Sequence, residues 1–125
     1  MALMRRAALS DIPGIVDMIE DLRGAVQGPV SVDRAWTSQT LARLMTTQSA
    51  VVFLTAGGFI AGSLQPTVIN PAPIAMEHGW WASDGSGLRL LRAFEKWARS
   101  EGATLIQLST GVDGIDLTRL GYRRV

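Results

Sequence analysis

The segment from Ile74 to Glu101 restricts the fold more than any other part of the chain. Ile74 to Ala82 is largely apolar and aromatic, which predicts a β-strand. Ser83 to Gly87 is short, polar and rich in glycine, which predicts a tight turn. The residues that follow recur at helical spacing and stop before a natural capping glycine, Gly102; they are Leu88, Leu91, Phe94, Trp97 and Ala98. The segment therefore predicts a strand, a turn and an amphipathic helix in direct succession.

The turn Asp84-Gly85-Ser86-Gly87 has a chemical use at this position. The first backbone N–H groups of a helix have no intrahelical acceptor, and the helix dipole adds partial positive charge there. Glycines let a phosphate approach those groups without obstruction by side chains. Turns of this composition also serve as plain connections, so the motif alone leaves both interpretations open.

Two common phosphate-binding motifs are absent from this turn. A P-loop requires a lysine directly after its last glycine, and the only lysine of the chain is Lys96, within the predicted helix. A dinucleotide-binding fingerprint requires a third glycine three residues after Gly87, where the chain has Leu90. Nucleotide hydrolysis and a Rossmann-type cofactor are therefore not expected.

The rest of the chain predicts an α/β fold in the order β-α-α-β-β-β-α-β-α-β, with a mixed sheet flanked by helices and one domain over residues 1–125. The other predicted strands are Ala2–Ala8, Ala50–Thr55, Phe59–Leu64, Thr104–Leu108 and Gly121–Val125. The other predicted helices are Ile12–Arg23, Thr37–Thr47 and Asp113–Leu120. Gly57-Gly58 predicts a β-hairpin, because glycine accepts the positive φ of a tight turn.

Composition excludes several classes of function. The chain has no cysteine, which excludes disulfides, thiolate metal sites and a cysteine nucleophile, and which agrees with a cytoplasmic setting. The net charge of +1 is far from the strongly basic charge that is expected of a dedicated nucleic-acid binder. No apolar run approaches the ~20 residues of a membrane-spanning helix, and the N-terminus does not resemble a signal peptide.

The order of elements, together with two sequence segments, resembles the GNAT (GCN5-related N-acetyltransferase) superfamily over nearly the whole chain. One segment runs from Trp80-Trp81-Ala82 through Gly85-Ser86-Gly87-Leu88-Arg89-Leu90-Leu91. The other is Leu120-Gly121-Tyr122-Arg123, which is similar to the family's "LGF" segment. The resemblance is to small members encoded in bacterial genomes and prophages.

The resemblance implies a cosubstrate, its binding residues and a reaction. Acetyl-CoA would lie where the fourth and fifth strands diverge, with its pantetheine arm along Trp80, Trp81 and Ala82. Its pyrophosphate would lie on Gly85, Ser86, Gly87, Leu88 and Arg89. The acetyl group would pass directly to a primary amine of a small molecule, peptide or protein.

Some residues depart from the family's pattern. Ala82 stands where a glutamine or arginine is usual, and Asp84 places an acid beside the expected pyrophosphate. Leu117 stands where many members have a catalytic tyrosine. Two alternatives therefore stay open, a non-catalytic acyl-CoA binder or sensor and a phage-type protein that modifies nucleic acid. The second depends on a basic cluster at Arg119, Arg123 and Arg124.

Glu77 and His78 are the candidate general bases, because both lie in the strand that would line the cleft. Alternation along a strand places them on opposite faces, so only one of them is expected to serve the same cleft. Each also has a plain structural interpretation, as a solvent-facing or hydrogen-bonded residue. The sequence ends at Val125, near the start of the strand that follows "LGF" in the family. Either the sequence is truncated, or the sheet is short, or a partner chain supplies the missing edge, so a homodimer is a further expectation.

Overall fold

Five strands form one sheet in the computed structural model, which describes residues 3–109 and 116–124. The strands are β1 (Arg5–Arg6), β2 (Ala50–Thr55), β3 (Gly58–Gln65), β4 (Ile74–Ala82) and β5 (Ile106–Gln107). They lie in the order β1-β2-β3-β4-β5. Each pair is antiparallel except β4 and β5, which are parallel. The sheet is therefore mixed and mostly antiparallel, which confirms the predicted fold class.

Three α-helices cover the two faces of this sheet: α1 (Ile12–Val26), α2 (Arg34–Thr46) and α3 (Gly87–Ser100). The helix α3 packs on one face, where its fully buried side chains Leu90, Leu91 and Phe94 meet Val51 and Ile60. On the other face α1 and α2 bury a second cluster, which includes Ile15, Val16, Leu41, Val52 and Phe59. The two clusters hold the sheet between two layers of helices.

The predicted bounds of β2 and β4 are confirmed, whereas those of α1 and α2 are wrong by a turn or less. The helix α1 continues through Gly24 to Val26 and ends at Gln27, whose φ of 53° is left-handed. The helix α2 begins at Arg34 rather than Thr37, because the Asp33 carboxylate caps it by accepting a hydrogen bond from the Trp36 N–H at 3.0 Å.

The Gly57-Gly58 pair forms the predicted hairpin for a different reason than the one given above. Neither glycine has a positive φ. What they provide is space: a Cβ on Gly58 would lie 2.8 Å from the Trp81 carbonyl oxygen, and one on Gly57 would lie 2.8 Å from the Asp84 Cβ. The predicted positive backbone angles are therefore wrong, and close approach of β4 and the following turn explains the pair.

The predicted elements at both ends of the chain are shorter in the structure. The strand β1 has two residues instead of Ala2–Ala8, and β5 has two instead of Thr104–Leu108. The last predicted helix is a 3-10 turn at Thr118–Leu120, and its residues 113–115 lie outside the described ranges. Of the predicted strand Gly121–Val125, residues 121–124 form no strand, because Gly121 (φ 91°) turns the chain and Tyr122 donates its backbone N–H to the Leu117 carbonyl. Ala2 and Val125, at the outer ends of the two terminal predicted strands, lie outside the described ranges.

Candidate active site

The strands β4 and β5 separate soon after they meet. Only Ala75 and Met76 of β4 pair with β5, opposite Ile106 and Gln107. From residue 77 to residue 82, β4 pairs with β3 alone within the described part of the chain. No described residue pairs with the backbone N–H and C=O groups on the other edge of this segment, and groups of this kind can bind an extended ligand.

A β-bulge at His78 accompanies this separation. Ala61 of β3 pairs with Gly79, but its neighbour Gly62 pairs with Glu77, so His78 has no partner in the register. An extra residue in one strand bends that strand and increases its twist. The bulge therefore turns the second half of β4 away from β5 and opens the gap between them.

Glu77 lies where the gap begins. Its side chain is half-buried, and its Oε1 accepts a hydrogen bond from the Ser109 backbone N–H at 3.0 Å, just beyond β5. Burial raises the pKa of the Glu77 carboxyl above its usual value, and the Ser109 N–H opposes that shift. A carboxylate at the mouth of the gap with a raised pKa has the properties of a general base.

His78 contacts the opposite neighbouring strand. Its Nε2 lies 2.7 Å from the Ser63 Oγ on β3, and Gln65 donates to the same hydroxyl at 3.1 Å. Burial lowers the pKa of the His78 ring, which favours its neutral form near pH 7. Glu77 therefore has its partner beyond β5, whereas His78 has its partner on β3, the other neighbour of β4.

The glycine turn leads directly into α3. Gly85 has a φ of 80°, a left-handed conformation that favours glycine, and a Cβ placed there would meet nothing within 4 Å. The helix begins at Gly87, so the N–H groups of its first turn have no intrahelical acceptor. At Gly87 a Cβ would lie 3.6 Å from the Ala82 Cβ. The turn thus offers an open approach to a helix N-terminus at the end of β4.

Asp84 connects this turn to the β2–β3 hairpin. Its Oδ2 accepts a hydrogen bond from the Gly57 N–H at 2.9 Å, and its Oδ1 accepts one from the Ser86 N–H at 3.1 Å and another from the Ser86 hydroxyl. The buried Ser86 Oγ also lies 2.8 Å from the Thr55 Oγ1. These donors, the Ser86 hydroxyl first, lower the pKa of Asp84. The acid is therefore held toward the hairpin by several donors.

The two tryptophans of β4 pack on opposite faces of the sheet. Trp80 contacts the cluster under α3, and its Nε1 donates to the Gly87 carbonyl at 3.1 Å. Trp81 contacts the cluster under α1 and α2. Ala82 packs beside α3, whereas Leu88 is half exposed, at 50%. Trp80 and Trp81 thus have structural roles as side chains, and their backbone remains the candidate ligand-binding edge.

The described residues near the C-terminus provide no tyrosine at this gap. Leu117 is buried, and the hydroxyl of Tyr122, the only tyrosine, donates to the Glu95 Oε2 at 2.6 Å. Burial is the main cause that raises the pKa of Tyr122, and Glu95 raises it further. Tyr122 is therefore a packing residue against α3.

Two features of the candidate site were not predicted from the sequence: the bulge at His78 and the contact between Asp84 and Gly57. A local signal existed for part of the second, since aspartate two residues before Ser86 is typical of a turn closed by its own side chain.

In the ranges 3–109 and 116–124, no group of three His, Cys, Asp or Glu side chains is placed to bind a metal ion. No helix in the same ranges is long and apolar enough to cross a bilayer.

No protein-family model matches the chain, and no curated protein is similar to it in sequence. Several solved structures are similar in fold. A protein described as a predicted acetyltransferase, from Clostridium acetobutylicum and solved with acetyl-CoA, superposes with a TM-score of 0.84 and 15% identity, over 100% of this chain and 92% of that one. An acetyltransferase from Trypanosoma brucei gives a TM-score of 0.74 and 16% identity, over 100% and 94%.

An aminoglycoside acetyltransferase from an uncultured soil metagenomic sample, solved with sisomicin, gives a TM-score of 0.64 and 16% identity, over 89% of this chain and 78% of that one. At identities this low, similarity establishes the fold and leaves the reaction to the residues of the site. The chain has the GNAT fold of these acetyltransferases.

Proposed function

We propose that this chain with the GNAT fold is an acetyl-CoA-dependent N-acetyltransferase that acts on a primary amine by direct transfer. The observation that carries the proposal is the unpaired edge of β4, residues 77–82, which leads into the glycine turn at the start of α3. An extended arm with a phosphate group at one end has a complementary shape and charge. The fold of the neighbouring acetyltransferases supports the same conclusion.

The residues present fit acetyl-CoA. The backbone of Trp80, Trp81 and Ala82 would pair with the pantetheine amides. The turn from Gly85 to Arg89 would hold the pyrophosphate, since the approach to Gly85 is open and the helix N-terminus favours an anion. Asp84 does not disturb this fit, because its carboxylate accepts hydrogen bonds from Gly57 and Ser86.

Glu77 is the proposed general base. Acetyl-CoA, when bound, would supply the activated acyl group as a thioester. Glu77 accepts the proton that the acceptor amine loses as its nitrogen attacks the thioester carbonyl; the C–N bond forms, the C–S bond breaks and the thiolate of CoA leaves. His78 is the less favoured base, because its ring is hydrogen-bonded to Ser63 on the far side of β4.

The acceptor is an amine of a small molecule, a peptide or a protein. The structure solved with sisomicin supports the small-molecule class, since it holds an amine-rich ligand on the same fold. A second candidate function, a non-catalytic acyl-CoA binder, is favoured by Leu117, which is buried where a catalytic tyrosine is usual in the family.

The test is release of free CoA from acetyl-CoA in the presence of a panel of primary amines, with mass spectrometry of the products. Turnover that depends on one class of amine supports the enzyme. Acetyl-CoA binding without turnover on any amine would support the non-catalytic binder instead.

Asp84→Ala is expected to weaken acetyl-CoA binding about tenfold. Two effects oppose each other, since the change removes both a negative charge near the pyrophosphate and the hydrogen bonds that hold the turn. The exposed charge of Asp84 is largely screened by salt, whereas its hydrogen bonds from Gly57 and Ser86 fix the geometry of the turn. We therefore expect loss of the turn's geometry to dominate.

Isothermal titration calorimetry checks this prediction, with Asp21→Ala, an exposed acid on α1, as the matched control. Thr55→Val is expected to act in the same direction, and Thr55→Ser is expected to restore binding, because it keeps the hydroxyl near Ser86. Tighter binding by Asp84→Ala would show that charge repulsion is the larger effect.

A further inference from the structure

A groove of about 700 Å³ runs along α3 on the side that faces β1 and β2. Its floor is apolar and is formed by Met4, Phe53, Leu88, Ala93 and Trp97. Leu88 is 50% exposed and Met4 is 38% exposed, so part of this apolar surface is accessible to solvent. An accessible apolar groove of this kind is typical of a surface that receives another molecule.

The rim of the groove is basic. It carries Arg6, Arg89, Arg92 and Lys96, and among the residues that the structure describes no acidic side chain lines it. The guanidinium of Arg6 lies 5.9 Å from the centroid of the Phe53 ring, and Arg92 also donates to the buried Glu95 at 3.0 Å. Even with Arg89 and the Arg92–Glu95 pair left out of the count, Arg6 and Lys96 give the groove positive charge, in a chain whose net charge is only +1.

The apolar floor and the basic rim together indicate what kind of molecule would bind in the groove. A nucleic acid would require many phosphate contacts and would leave the apolar floor unused. A helix with one apolar face and acidic flanks would fill the floor and pair with the rim at the same time. We propose that this groove docks an acidic amphipathic helix of a protein partner.

The groove begins at Leu88 and Arg89, in the first turn of α3, and continues toward Ser100. The groove shares Leu88 and Arg89 with the proposed pyrophosphate site, whereas the edge of β4 at residues 77–82 lies away from it, because β1 and β2 stand at the opposite end of the strand order. A partner in the groove would therefore leave that edge of β4 accessible. The inference does not rest on the proposed acetyl transfer, and its test needs no turnover.

The probe is a short amidated peptide with leucine at helical spacing and glutamate on the flanks, labelled for fluorescence anisotropy. We expect saturable binding that weakens as salt rises, because exposed ion pairs are screened. The double variant Arg6→Glu/Lys96→Glu is expected to weaken binding about tenfold, since opposite charges become like charges. Met4→Asp is expected to weaken it also, through the apolar floor.

Arg119→Glu/Arg123→Glu is the matched control, with the same change of charge at exposed positions that do not line the groove. Equal loss in this control would overturn the proposal, as would absence of peptide binding. Tighter binding of duplex DNA than of the peptide, weakened by Arg6→Glu/Lys96→Glu, would assign the groove to nucleic acid instead. Self-association in light scattering that Met4→Asp abolishes would assign it to a second copy and would also overturn the proposal.

Discussion

Glu77→Gln is expected to lower the rate of acetyl transfer by about 10²–10⁴-fold, the usual contribution of a general base. The amide is nearly the same size as the carboxylate, and its oxygen can still accept the hydrogen bond from the Ser109 N–H. It cannot accept a proton from the amine. Acetyl-CoA affinity is therefore expected to stay almost unchanged while turnover falls.

The pH dependence provides a second measurement of the same residue. Burial raises the pKa of Glu77, so the rate of the natural chain should rise with pH over a range displaced above about 4.3, the ordinary value for glutamate. Glu77→Gln should lose this part of the profile. A profile that both proteins share would assign the ionisation to another group.

The same ionisation of Glu77 is expected to lower the stability of the folded chain as pH rises, whereas it raises the rate. A carboxyl whose pKa is raised in the folded state favours folding when protonated, and that contribution is lost as pH rises from about 4.3 through the raised folded value. Above that range the natural chain keeps a buried charge that Glu77→Gln lacks. The melting temperature of Glu77→Gln, measured relative to that of the natural chain, should therefore increase as pH rises to neutral.

His78→Gln is the matched control for these measurements. The side chain is partly exposed and is hydrogen-bonded to Ser63 on β3, away from the gap, so we expect only a small change in rate. A normal rate in Glu77→Gln together with a large loss in His78→Gln would transfer the base to His78.

Gly62→Ala is expected to lower the free energy of unfolding by about 1–3 kcal/mol or more. A Cβ on Gly62 would lie 2.4 Å from the Cε1 of Phe94 and 2.6 Å from the Met76 carbonyl oxygen. The first contact is with a fully buried ring of α3, and the second is with the backbone of β4. Neither neighbour can move without disturbing the sheet or the core under α3.

Gly14→Ala provides the control for this prediction. Gly14 lies within α1, and a Cβ there would meet nothing within 4 Å. Alanine is the better helix former, so this change should stabilise the chain by about 0.5–1 kcal/mol. Chemical denaturation measures both variants, and a neutral result for Gly62→Ala would contradict the close packing between β3 and Phe94.

The sequence predicted the central part of the fold well. The strands β2 and β4 match their predicted bounds, because long apolar runs flanked by turn residues define a strand locally. The helix α3 was predicted within a residue, since Leu91, Phe94 and Trp97 repeat with the period of a helix. The glycine turn was placed correctly between the two.

Other features could not be predicted, because they depend on contacts between distant parts of the chain. The bulge at His78 exists through the register between β3 and β4, which leaves no mark in the strand itself. The bond from Gly57 to Asp84 joins residues that are far apart in sequence. The final strand at residues 121–124 was wrong, because Gly121 turns the chain where the pattern indicates continuation.

Calorimetric titration of the purified chain with acetyl-CoA tests the central claim most directly. We expect one molecule of acetyl-CoA per chain, with a dissociation constant between about 1 μM and 1 mM, the range that is typical of enzyme KM values. Binding should weaken in Asp84→Ala and stay unchanged in Glu77→Gln, because only the first disturbs the glycine turn. Absence of binding at millimolar acetyl-CoA would contradict both the proposed enzyme and the alternative acyl-CoA binder.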